Sequence, residues 1–224
     1  YETDRVEKLL SLAFKRARKI TNPDRILGWY QNQIGCGSKP KPISTKSDDV
    51  TVVIPSRNPG RYLETTLKSL KNQTHRNMRI IIKDSSTDPE DILRVEHLAN
   101  EYGATLIRGP DTDAGNALNQ ALPYVGTKYL MQVDADNIAK PEMVETFVTS
   151  LASRDDVVAL SSYFAVFHNE DEEKVLQSLN KTGRFIPRGY YKPIGPCLPV
   201  LFFENTQGDA NSIFLTNVVR AVGG

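Results

Sequence analysis

The sequence predicts an α/β fold with a mainly parallel sheet. Two observations carry this expectation. From Val50 onward, short apolar strand patterns alternate with amphipathic helix patterns in the order βαβαβαβ, the arrangement of a sheet joined by crossover helices. The first strand, Val50 to Ile54, is a nearly continuous apolar run, as expected where both faces of a parallel strand are covered.

The elements follow in order. After the first strand, Leu63, Leu67 and Leu70 share one face of a helix. Met78 to Lys83 reads as the second strand and ends at Asp84. Pro89 to Tyr102 reads as a helix entered through Asp88 as N-cap, with proline at its first position. Ala104 to Ile107 is the third strand, Ala114 to Leu122 a helix, and Lys128 to Val133 the fourth strand. Pro141 to Leu151 is another proline-initiated helix, and Val157 to Val166 one further strand. Beyond His168 the pattern weakens: a helix over Glu170 to Leu179, a Gly- and Pro-rich loop over Gly183 to Phe203, a strand over Gly208 to Leu215, and a short helix over Thr216 to Val222. No internal repeat is present.

Ahead of this core, residues 1–34 read as a helical extension. Val6, Leu9, Leu10, Ala13, Phe14, Ala17 and Ile20 fall at helical spacing, opposite a basic face of Arg5, Lys8, Lys15, Arg16, Arg18 and Lys19. That basic face makes contact with a membrane surface an expectation to keep beside plain packing on the domain. Residues 35–49 read as a linker, rich in Gly, Pro, Ser and Lys.

Composition narrows the function classes. The 224 residues carry 28 Lys+Arg against 27 Asp+Glu, a net charge of +1, so the basic excess of a nucleic-acid binder is missing. No uninterrupted apolar run approaches the ~20 residues of a membrane-spanning helix. Cys36 and Cys197 stand apart in sequence, and His75, His97 and His168 show no metal-ligand spacing. SRNPGRYL follows the first strand, so neither the dinucleotide fingerprint nor a P-loop is present.

Ligands of an open parallel sheet bind beyond the carboxyl ends of its strands. Pro55-Ser56-Arg57-Asn58, Asp84 to Asp88, Arg108 to Asp111 and Asp134-Ala135-Asp136-Asn137 stand there. Carboxylates are costly where an apolar strand stops unless a cation or hydrogen-bond donor meets them. Asp134 and Asp136 are the strongest feature: at i and i+2 off a strand they point to one side, where two carboxylates repel unless a cation lies between them. Mg²⁺ or Mn²⁺, held by one or two carboxylates and phosphate oxygens, fits that requirement.

Four segments, VTVVIPSRNPGRYLETTLKSLKNQT, RIIIKDSSTD, GNALNQAL and YLMQVDADNIAKPEMVE, resemble in order the donor-binding half of family 2 glycosyltransferases, inverting enzymes of the GT-A fold. The last contains what looks like their DxD motif, and GDANSIFLTNVVRAVGG resembles the family's acceptor-side segment ending in Gly-Gly. The resemblance implies a Rossmann-like α/β/α sandwich, with the donor half over 50–151 and part of the acceptor half over 152–224. It implies that Pro55, Ser56 and Arg57 line the nucleoside pocket and that Asp84 binds the base. Asn119 stands in the middle motif, where Leu118 replaces the family's usual arginine. Asp134 would hold the ribose or reach the metal through water, and Asp136 would coordinate Mn²⁺ or Mg²⁺. The implied reaction transfers a hexose from a nucleotide-diphosphate sugar, a UDP-sugar foremost, to a hydroxyl of a carbohydrate, lipid-linked or protein acceptor, as in polysaccharide biosynthesis. The family's general base is expected beyond Gly224, so the chain reads as a piece of a longer enzyme, cytoplasmic and membrane-associated through the rest of its parent. Two other readings stand beside this one. QVDADNI is close to the nucleophile motif of haloacid-dehalogenase phosphohydrolases, although Ile138 stands where they carry Thr or Val. A non-catalytic module that holds a nucleotide sugar is the second.

Overall fold

The structure is a computed structural model that describes residues 50–191 and 211–224. The expectations for residues 1–34 and 35–49, and for the parts of the Gly183–Phe203 loop and the 208–215 strand that fall in 192–210, lie outside the described residues.

A six-stranded sheet forms the centre, in the order β3-β2-β1-β4-β8-β5. Its strands are β1 (Val50–Ser56), β2 (Met78–Asp84), β3 (Thr105–Arg108), β4 (Tyr129–Gln132), β5 (Ala159–Ser161) and β8 (Ser212–Leu215). β1 to β4 are mutually parallel, and β8 runs antiparallel between β4 and β5. The helices are α1 (Tyr62–Lys71), α2 (Pro89–Tyr102), α3 (Ala114–Ala121), α4 (Met143–Ala152), α5 (Glu172–Thr182) and α6 (Thr216–Val222). The expected mainly parallel α/β architecture is therefore present.

β1 shows how the sequence sets the layers. Successive side chains of a strand point to opposite faces. Val50, Val52 and Ile54 enter a core with Leu63, Leu67 and Leu70 of α1, Val95 and Leu98 of α2, and Val144, Phe147 and Leu151 of α4. Val53 and Ile81 face the other way, against Ala121, Val125 and Leu130, with Leu118 and Val219 packed on them. Helices thus cover both faces of β1, which explains its unbroken apolar run.

Helix entry follows the expected chemistry at α2. Asp88 accepts hydrogen bonds from the amides of Glu90 and Asp91 at 2.9 and 3.2 Å, and Gly103 closes the helix with φ of 66°. Here glycine takes the left-handed conformation that a Cβ would penalise.

The C-terminal part corrects the sequence reading. The strand expected over Val157–Val166 is two strands in two sheets. β5 pairs with β8 in the main sheet, whereas β6 (Phe164–Val166) pairs antiparallel with β7 (Gly189–Tyr191). Ser161, Ser162 and Tyr163 interrupt the apolar run, and β7 lies inside a stretch expected to be loop. Hydropathy alone registers extended apolar chain but not which partner a strand takes.

Candidate functional site

Strand order reverses beside β1: β2 and β3 lie to one side, β4 to the other. Such a switch point opens a crevice at the carboxyl ends of the strands. A cleft of about 450 Å³ opens there. It is lined by Pro55, Ser56, Arg57 and Asn58 after β1, Ser85 after β2, Asp111 to Ala114 after β3, and Asp134 to Asp136 after β4. Each strand end identified in the sequence contributes to one site.

Ser56 sits at its base. The residue is 4% exposed, and its Oγ has no hydrogen-bond partner among the described residues. A buried hydroxyl without a partner costs about 1–3 kcal/mol, which a ligand group reaching the cleft floor would offset. Arg57 is exposed and is the one cationic side chain among the described residues that line the cleft.

The first wall is laced by Asn58, which the sequence places just after β1 without marking a role for it. Its backbone is left-handed, φ 47°, a conformation asparagine tolerates better than most residues. Its Oδ1 accepts from the amides of Thr87 and Asp88 at 2.9 and 3.1 Å, and its own amide donates to Ser86 Oγ at 2.9 Å. The exits of β1 and β2 are thereby tied together. The signal for it was Asn58 ahead of Pro59-Gly60, a turn sequence.

The second wall, the β3–α3 loop, rests on a charge that is wholly inside. Lys83 is fully buried. Its Nζ donates to the carbonyl of Gly109 at 2.8 Å and lies 3.5 Å from Asp111 Oδ2. Gly109 adopts φ 152°, which lets the chain turn so that this carbonyl faces the ammonium. Asp113 then caps α3 by accepting from the Asn116 amide at 2.8 Å. That bond, and a second from the Thr112 hydroxyl, hold the Asp113 carboxyl below its ordinary value of 3.8.

Asp134 and Asp136 both line the cleft, but not through strand alternation. β4 ends at Gln132, and the Asn137 amide donates to the Asp134 carbonyl at 3.2 Å, closing a turn that carries both side chains to the same opening. Asp136 is exposed and Asp134 half-buried. No group of three or more His, Cys, Asp or Glu suited to a metal occurs among the described residues. Two carboxylates and no nitrogen or sulfur ligand nevertheless match the demands of Mg²⁺ or Mn²⁺, which take the remaining positions from substrate oxygens and water.

Two further expected site residues stand elsewhere. Asp84 is buried at the end of β2 and does not line the cleft; its Oδ1 accepts from Ser86 Oγ at 2.6 Å, and its Oδ2 lies 3.7 Å from Arg108 Nε. Asn119 lines a separate groove with Leu118, Gln132, Phe214, Val219 and Gly224.

Comparison with known proteins gives this arrangement its family. The family model described as glycosyl transferase family 2 matches residues 51–205. An uncharacterized glycosyltransferase of Haemophilus influenzae is 34% identical over 144 residues, covering 60% of this chain and 42% of that protein. Chondroitin synthase of Escherichia coli is 30% identical over 148 residues, covering 65% of this chain and 20% of the synthase. The chain thus spans less than half the length of these relatives. Among solved structures, the Pyrobaculum calidifontis mannosyltransferase PcManGT, in complex with GDP-Man and Mn²⁺, superposes with a TM-score of 0.56 at 17% identity, covering 96% of this chain and 58% of that one. Glucosyl-3-phosphoglycerate synthase of Mycobacterium tuberculosis, with Mn²⁺, UDP and phosphoglyceric acid, gives 0.52 at 19%, covering 77% and 57%. The phosphohydrolase reading of QVDADNI has no support in these matches. With a family match over most of its core and this sheet order, the chain belongs to glycosyl transferase family 2 and is built on the GT-A fold.

Proposed function

We propose that the cleft at the β1/β4 switch point binds a nucleotide-diphosphate sugar, a UDP-sugar foremost, and that the intact protein transfers its hexose to an acceptor hydroxyl with inversion. The observation that carries this reading is the convergence of Ser56, Arg57, Asp134 and Asp136 on one opening, with an unpartnered buried hydroxyl at its floor. Residues 50–151 would form the donor half and residues 152–224 the start of the acceptor half.

Pro55, Ser56 and Arg57 would bound the nucleoside, and Ser56 Oγ would gain the partner it lacks. Asp84 would accept a base N–H once Ser86 turns away from it. Asn119 would act from the neighbouring groove. Asp134 and Asp136 would hold Mn²⁺ or Mg²⁺. When bound, the ion supplies Lewis-acid neutralisation of the diphosphate as negative charge develops on it. An acceptor oxygen attacks the anomeric carbon opposite the leaving group, the bond from that carbon to the diphosphate oxygen breaks with its electron pair, and the hydroxyl proton passes to a carboxylate base. We assign no such base among the described residues. The ligands bound in the structures of PcManGT and of glucosyl-3-phosphoglycerate synthase, a nucleotide or nucleotide sugar together with Mn²⁺, support this reading by fold analogy.

Calorimetry with UDP and GDP, with and without Mn²⁺, tests it. Binding should strengthen with Mn²⁺, and Asp136→Ala should remove that dependence. Affinity indifferent both to the metal and to Asp136→Ala would overturn the donor-site assignment.

A further inference from the structure

α1 carries two stripes on its buried side. Leu63, Leu67 and Leu70 form the apolar one. Beside it run Thr66 and Ser69, continued by Gln73 just past the helix end, and all three are fully or almost fully buried. The spacing of three and then four residues keeps them on one face of a helical path. Buried polar side chains must find partners or cost stability, and these find theirs in two places, the carbonyls of Tyr62, Thr66 and Ser69 on their own helix and the chain that follows β4.

Thr66 Oγ1 donates to the carbonyl of Ala135 at 2.9 Å, the residue between Asp134 and Asp136. Ser69 Oγ accepts from the Ala139 amide at 3.0 Å. Gln73 uses both ends of its amide: Nε2 donates to the Lys140 carbonyl at 2.7 Å, and Oε1 accepts from the Val144 amide at 3.0 Å, in the first turn of α4. The Thr74 amide extends the row to the Pro141 carbonyl at 2.8 Å. The segment from Asp134 to Glu142 has neither helix nor strand, so four of its backbone groups, and the Val144 amide beyond it, take their bonds from α1 and its C-terminal extension. Inside a protein such a connected set is stiffer and stronger than isolated bonds to water.

We infer that Thr66, Ser69 and Gln73 are positioning residues for the Asp134–Asp136 turn, holding its backbone so that both carboxylates would present their oxygens to a divalent cation. The inference rests on the donor-site reading above. Thr66 is the nearest contact, since its partner is the peptide carbonyl that separates the two aspartates. The aspartates then need no rearrangement when the ligand arrives. Partners that orient metal-binding side chains without touching the ion are worth about 10- to 100-fold in metal affinity.

The test uses the 224-residue chain and compares Thr66→Val, which keeps the shape and removes the hydroxyl, with Thr66→Ser, which restores it. Asp136→Ala serves as reference. Calorimetry measures UDP or GDP binding across a Mn²⁺ series, and uridine binding without metal reports whether the rest of the cleft is intact. The expected result is a roughly 10-fold or greater rise in the Mn²⁺ concentration needed for half-maximal nucleotide binding in Thr66→Val. Uridine binding should be unchanged, and Thr66→Ser should behave like the parent. If Asp136→Ala loses metal dependence while Thr66→Val matches the parent, the positioning role is overturned and the donor site stands. If metal and metal-free binding fall together in Thr66→Val and serine fails to restore them, Thr66 is structural only and the inference fails. If Asp136→Ala itself changes nothing, both readings fail. Should Thr66→Val not fold, Ser69→Ala is read by the same criteria.

Discussion

Lys83 shows how a single residue can carry a wall of the site. Its ammonium is inside the protein, with the Gly109 carbonyl and the Asp111 carboxylate as partners. Removing one member of a buried pair leaves the other charged and without compensation, a loss of about 3–5 kcal/mol. Lys83→Met should therefore lower the free energy of unfolding by about that much, read by urea denaturation. The exchange should also loosen the loop that brings Asp111, Thr112 and Asp113 to the cleft. In the sequence Lys83 is the polar last residue of MRIIIK, with nothing to mark it as buried. Its burial depends on the loop after β3, which folds back over the end of β2. Asp134 and Asp136, by contrast, were legible as a pair that belongs in one opening. Their actual geometry, a closed turn off the strand, was not, because it depends on the Asn137 amide and on Thr66 of a distant helix.

At the scale of elements, those with local signals were legible nearly to the residue. α2 has Asp88 before it, Pro89 at its start and Gly103 after it, and its bounds match the expected ones. Asp88→Ala should cost about 1 kcal/mol in a thermal or urea unfolding experiment, because the amides of Glu90 and Asp91 lose their acceptor. Asp88 lies outside the cleft lining, so nucleotide affinity should hardly change. The elements after Leu151 were less legible. β5, β6 and β7 are three residues each, too short for periodicity to separate from loop. What makes them strands is pairing with chain far away in sequence: β5 with β8, and β6 with β7. α1 lies between these cases. Its leucine stripe identified a core helix, while the polar stripe beside it acquires meaning only against the 135–144 segment.

The whole molecule gathers charge that the sequence holds apart. Net charge is +1 over the chain, yet the described lining of the cleft brings Asp111, Asp113, Asp134 and Asp136 together against Arg57. A diphosphate entering such a site without a metal meets repulsion. Screening weakens that repulsion, since the Debye length falls from about 10 Å at 0.1 M salt to about 3 Å at 1 M. Metal-free UDP binding, measured by calorimetry, should therefore tighten as NaCl rises, whereas the opposite slope would mean that Arg57 dominates the local field. Among the described residues no helix is long and apolar enough to cross a membrane.

The sequence by itself determined the α/β class, the parallel order of elements through α4, the strand ends that bear polar groups and the family. These depend on period, turn chemistry and local motif, all written within a few tens of residues. Tertiary structure alone decided that Asp84 is buried against Ser86 and Arg108, that Asn119 lies in a neighbouring groove, that Lys83 is buried beneath the wall, and that α1 holds the aspartate turn. Each of those depends on which distant backbone carbonyl or amide comes within about 3 Å of a side chain. That distance is set by how helices and loops pack over the sheet, and no short window of sequence records it.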